Sequence, residues 1–139
     1  MTQEEKEKTI QKIWSHVDYA VGDWVETCNM MPGIVQSIDI GFDEKQNCFH
    51  ETVEIFYPHY ALNPNKHYPY KGKSCCSVTH CGVHKITPEY ACKLMSIGEE
   101  KLIDLWRDFE ILVKVEKKDA HWEELVRWKE LVEEYYNKL

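Results

Sequence analysis

Apolar side chains recur at helical spacing through residues 2–17, where Ile10, Ile13, Trp14 and Val17 share one face and charged residues fill the other. Thr2 followed by Glu5 is a capping-box pattern, so the spacing predicts a helix that starts at the first residues. From Val21 the period drops to two. "VGDWVETC" and "GIVQSIDI" alternate and are rich in β-branched residues, and the Pro32-Gly33 pair between them is a turn signal. "ETVEIFY" (51–57) reads as a third strand, with Val53, Ile55 and Tyr57 on one face; "SCCSVT" and "GVHKI" read as short fourth and fifth strands. Val25, Ile34, Ile38, Val53 and Ile55 are the expected core of this region.

Helical periodicity then returns. Thr87 is an N-cap, Pro88 occupies the first helical position and Gly98 is a stop. Leu102, Leu105, Trp106, Phe109, Leu112 and Val113 form the stripe of the next helix. Asp119 can cap a last one, in which Leu125, Trp128, Val132, Tyr135 and Leu139 repeat at spacings of three and four. Trp122, Val126, Leu131 and Tyr136 widen that seam beyond what one neighbour covers, which predicts an intrachain bundle or a homodimer contact.

Composition changes this picture in two ways. With 43% hydrophobic residues and five tryptophans in 139 residues, the chain can bury a core without cross-links. The polar start "MTQEEKEK" is unlike a secretory leader and no apolar run reaches membrane-span length, so the expectation is a cytoplasmic protein with reduced thiols and no membrane contact. The net charge of −7 disfavours wholesale phosphate-backbone binding, yet it is unevenly spread. Residues 18–57 sum to −7 and residues from 99 onward to −4, while residues 58–88 hold four lysines and no acid. A basic island therefore interrupts an acidic chain.

The strand region, with Gly22, Asp23 and Val25 followed by Gly33, Ile34 and Val35, resembles the SH3-like barrels of the KOW and Tudor type over residues 19–87. The resemblance implies a five-stranded barrel, from which the long loop at 58–74 is a departure; with the N-terminal helix (1–18) and the C-terminal helical extension (88–139) read from periodicity, the expected fold is α+β. It further implies binding of nucleic acid, nucleoprotein or protein partners by aromatics and loops at the barrel rim.

The basic island contains "SCCSVTHCGVH" (74–84), with three of the six cysteines. As a zinc site, Cys76, Cys81 and His84 would need a fourth ligand from His80, Cys75 or Cys92, because structural zinc takes four. Strand alternation instead sends Cys75, Ser77 and Thr79 to one face and Cys76, Val78 and His80 to the other, and neighbours on opposite faces do not chelate one ion. The expectation is buried thiols, with Cys76 beside Val78, and no metal or other cofactor. Catalytic readings are weaker. Cys81 and His84 lack an orienting Asn or Asp nearby in sequence, and His50 with Thr52 is half of a two-histidine phosphoesterase motif whose second half is absent.

The segment "PHYALNPNKHYPYKGKS" mixes amphipathic rings with cations, a composition suited to an interface. Tyr60, Lys66, His67, Tyr68, Tyr70, Lys71 and Lys73 are the candidate partner-binding residues. The expectation is a non-enzymatic interaction protein that engages a protein partner through this loop and its apolar helices, in character like a phage or mobile-element inhibitor of a host nucleic-acid defence system. The alternative is a zinc-stabilised nucleic-acid-binding module.

Overall fold

The capping box forms as the sequence predicts. In the computed structural model, which describes residues 1–63, 72–116 and 121–139, helix α1 (Gln3–Trp14) starts where Thr2 Oγ1 accepts from the Glu5 amide at 3.1 Å. Glu5 in turn accepts from the Thr2 amide, so two otherwise orphaned donors are satisfied at once. Ile13 points into the core, and Lys6 reaches Glu44 at 3.1 Å while lying over the Phe42 ring.

Strands β1 (Trp24–Glu26), β2 (Gly33–Asp43) and β3 (Cys48–Phe56) follow. β2 and β3 form the longest ladder, an antiparallel hairpin running past the expected strand limits to Asp43 and Cys48. Its turn is organised by Asp43, whose carboxylate accepts from the Lys45 amide, and by Asn47 at φ 51.

One irregularity corrects the expected core. The register slips between Val35 and Ser37, so Val35 pairs with Ile55 and Ile38 pairs with Val53. The extra residue lets Val35 and Ile38, three apart, share a face. Val35 is fully buried with Val25, Val53 and Ile55, Ile38 packs partly against them, and Ile34 turns away from that core. Gly33 is required beside it: a Cβ there would meet Ile55 Cγ2 at 2.3 Å.

After β3 the chain makes a five-residue helix, α2 (Pro58–Leu62), with Pro58 supplying a fixed φ at its start. The stretch expected to be all loop thus begins as helix and ends in strand β4 (Lys73–Ser77). β5 is only His84–Lys85. The five strands form one antiparallel sheet in the order β4-β3-β2-β1-β5. The sheet is open, with β4 and β5 as its edges, so the fold is α+β as expected but the closed barrel is not formed. β1 and β5 have three and two residues, too few to extend a ladder round to β4.

Three helices complete the chain. α3 (Pro88–Ile97) is capped by Thr87, which accepts from the Tyr90 amide, and ends at Gly98 with φ 91. α4 (Glu99–Glu116) and α5 (His121–Asn137) pack through Trp106, whose ring lies 5.1 Å from Phe109 and 5.6 Å from Trp128. Leu102, Phe109, Trp128 and Val132 belong to the same core as Ile13 of α1 and Val53 of β3, so helices and sheet share one interior. No helix is long and apolar enough to cross a membrane among the described residues.

Candidate functional site

Of the seven residues expected to bind a partner, Lys66, His67, Tyr68, Tyr70 and Lys71 lie outside the described residues. Lys73 is exposed on the edge strand β4. Tyr60 is 2% exposed, its ring 5.7 Å from that of Tyr57, so it belongs to the core. The reason is local: α2 turns that ring inward one helical turn after Tyr57.

The structure assembles the cysteines differently from any spacing rule. Cys76, on β4, is buried and Cys75 beside it is exposed, as alternation predicts. A tight turn after Ser77, closed by the Cys81 amide donating to the Ser77 carbonyl at 3.1 Å, brings Cys81 back over Cys76. Cys28, which follows β1, completes the group: the three sulfurs lie within 4.8 Å of one another. Cys28 belongs to no motif in the sequence. Only the order of the strands brings it here.

Hydrogen bonds hold this cluster from several sides. The Ser77 amide donates to Cys81 Sγ at 3.2 Å. Glu51, on β3, receives the hydroxyls of Ser77 and Thr79 and the Thr79 amide, which fixes the turn carrying Cys81. Burial would raise the Glu51 carboxyl, but these donors outweigh it and hold the group below its ordinary range. On the other side, the hydroxyls of Thr27 and Tyr57 meet at 2.8 Å, and the Tyr57 hydroxyl lies 3.9 Å from Cys76 Sγ.

The thiols polarise one another. Hydrogen bonding from Cys76 pulls the Cys28 thiol down to about 6, against the opposing effect of burial. Donating that bond, together with burial, pushes Cys76 up, and burial also pushes Cys81 up. The cluster opens on a cavity of about 260 Å³ whose wall includes Asn29, Tyr60, Gly72 and Lys73.

His84 is not the partner of Cys81. Its Nδ1 lies 3.1 Å from the Gly82 carbonyl and its Nε2 lies 2.8 Å from Glu26 Oε2, both residues being almost fully buried. Because a carbonyl only accepts, Nδ1 carries a proton and Nε2 faces the carboxylate. Lys129 of α5 approaches the same carboxylate at 3.9 Å and the face of Tyr90 at 5.2 Å. This group joins β1 and β5 to α3 and α5. His50 pairs with Asp39 at 3.0 Å across the β2–β3 ladder.

A second surface lies on the helices. Ile111, Leu112 and Val115 of α4 are 60, 48 and 75% exposed, while Phe109 on the same helix is buried. Leu112 also lines a groove between α4 and α5 with Phe109 and Leu131, rimmed by Arg127, Glu130 and Glu134. The sequence stripe predicts Leu112 as core. The structure leaves it at the margin, because α5 covers the side of α4 that carries Phe109.

Comparison of the chain with known protein families, curated proteins and solved structures yields no match.

Proposed function

We propose that this protein is a non-catalytic interaction module whose α4–α5 face receives an amphipathic helix of a protein partner. The observation that carries the reading is the exposed ridge of Ile111, Leu112 and Val115 beside the groove floored by Phe109 and Leu131. Large aliphatic side chains gathered on one helix cost free energy in water and mark interaction surfaces. A groove between two helices with an apolar floor takes one apolar helix face. Its rim carries Glu130 and Glu134 against Arg127, and the chain from residue 99 onward has a net charge of −4, so the fitting partner helix is flanked by basic residues. Lys73, exposed on the edge strand, supplies a separate basic contact.

Engagement of the imidazole of His84 by Gly82 and Glu26 supports the non-catalytic reading, since this ring is not poised to activate Cys81. The test places a photo-crosslinking residue at position 112, with position 21 as control, in protein expressed in its native cell. The proposal expects a cross-linked heterologous protein at 112 alone, retained at high salt and lost in the Ile111→Glu, Val115→Glu double variant. A cross-linked dimer of this chain, a nucleic-acid adduct that vanishes steeply as salt rises, or an adduct unaffected by the double variant would overturn it.

A further inference from the structure

We propose that Cys28, Cys76 and Cys81 form a three-thiolate site for a thiophilic divalent cation, with zinc as the occupant. This departs from the sequence expectation of isolated buried thiols, and the reason is Cys28. The turn after β4 brings Cys76 and Cys81 together, but it is the strand order that delivers a third sulfur from residue 28. The remaining cysteines, Cys48, Cys75 and Cys92, are all exposed and take no part in the cluster.

Geometry favours an ion over a disulfide. A tetrahedral zinc with sulfurs about 2.3 Å away holds them about 3.8 Å from one another. The three sulfurs lie within 4.8 Å, so rotamer adjustments close them on an ion. A disulfide would use two and leave the third without purpose. Sulfur-only donor sets select zinc and other soft ions over magnesium or calcium.

The surroundings are those of a ligand set. The Ser77 amide already donates to Cys81 Sγ, and the Asn29 amide, Thr27 and Tyr57 form a hydrogen-bonded chain that ends beside Cys76. Such outer partners orient ligating thiolates and offset their charge. Binding releases to solvent whatever protons the three thiols still carry, leaving a complex of net charge −1. Lys73 lines the cavity onto which the cluster opens, bringing positive charge to that wall, and the three cysteines border the same cavity, which leaves a fourth coordination position open to solvent. Three protein ligands and one open position distinguish this arrangement from a closed structural centre.

Topology gives the ion a task. Cys28 follows β1 and Cys76 lies on β4, and in the sheet β2 and β3 separate those strands. A bound ion would clasp two parts of the sheet that no hydrogen-bonded ladder joins.

The test uses the full chain, reduced and freed of metal, titrated with cobalt(II) as a spectroscopic probe. The proposal expects thiolate-to-metal charge transfer saturating at one equivalent, displacement by zinc, and protection of three thiols from a disulfide reagent. Cys28→Ser should weaken binding by more than the 10–100-fold that follows loss of an outer-sphere partner, while Cys48→Ser and Cys92→Ser should bind like the parent. Cys28 is exposed, so its variant is suited to folding normally, which circular dichroism would verify even if Cys76→Ser unfolds. Absence of charge transfer at one equivalent, or parental affinity in folded Cys28→Ser, would refute the site.

Discussion

The hydroxyl groups of Thr27 and Tyr57 lie 2.8 Å apart, joining the end of β1 to the end of β3 across the intervening strand β2. Both residues are buried, and the Asn29 amide donates to the same Thr27 oxygen. Tyr57→Phe keeps the ring and removes the bond, so it should cost about 1 kcal/mol, the usual net worth of one internal hydrogen bond. Tyr57→Ala removes the packing as well and should cost about 3–5 kcal/mol. Urea unfolding of the two variants separates these contributions; equal losses would show that the hydroxyl bond, and not the ring, holds this end of the sheet.

Glu26 and His84 form a buried pair between β1 and β5. Removing one member leaves the other desolvated, which typically costs about 3–5 kcal/mol. Glu26→Ala and His84→Ala should each show a loss of that size, and the double variant should lose clearly less than their sum. An additive double-mutant cycle would mean that the two side chains act independently.

Gly33 lies against Ile55 and Tyr57 with no room for a methyl group. Gly33→Ala should destabilise by about 1–3 kcal/mol through overpacking, despite reducing unfolded-state entropy. The complementary double variant Gly33→Ala, Ile55→Leu should recover part of that loss, because leucine keeps the volume but lacks the Cγ2 methyl that the new Cβ meets. Thermal unfolding of the two proteins measures the recovery.

The thiol cluster makes the metal-free, reduced protein sensitive to pH, and the sign follows from the native values. Cys28 titrates near 6 in the folded chain against an ordinary value of 9.0. Between those values the unfolded chain binds the extra proton, so stability rises with pH. Above 9.0 the unfolded thiols ionise while Cys76 and Cys81, both raised, retain their protons, so stability falls again. Burial raises Tyr19 to about 12 and also raises Tyr57 and Tyr90, which steepens the alkaline decline once unfolded tyrosines ionise near 10.0. Glu51, lowered in the fold, contributes above its ordinary 4.5 and ceases to do so as pH falls through its native value. Urea midpoints measured with chelator present should therefore peak at about 9, and Cys28→Ser should flatten the rise between 6 and 9. The same ionisation should make Cys28 the fastest cysteine to alkylate at pH 7.

The features legible in the sequence are local ones. The α1 capping box, the start of α3 at Thr87 and Pro88, its stop at Gly98 and the buried position of Cys76 all depend on residues within a few positions of each other. Their signals survive without any knowledge of the fold. α2 is the exception: the composition of residues 58–74 reads as a loop, although Pro58 at a first helical position is a helix start.

Whatever depends on which distant segments meet emerges only from the folded arrangement. A single bulge near Gln36 exchanged Ile34 for Val35 in the core, and no pattern of period two reports a slip that occurs within the strand. His84 is close to Cys81 in sequence, but strand pairing turns it toward Glu26. Cys28 stands far from Cys76 along the chain, and strand order alone made them neighbours. The physical reason is that caps and turns are settled by hydrogen bonds within one turn of backbone, whereas a cluster of side chains from separate strands is settled by sheet order, register and twist, which belong to the whole chain at once.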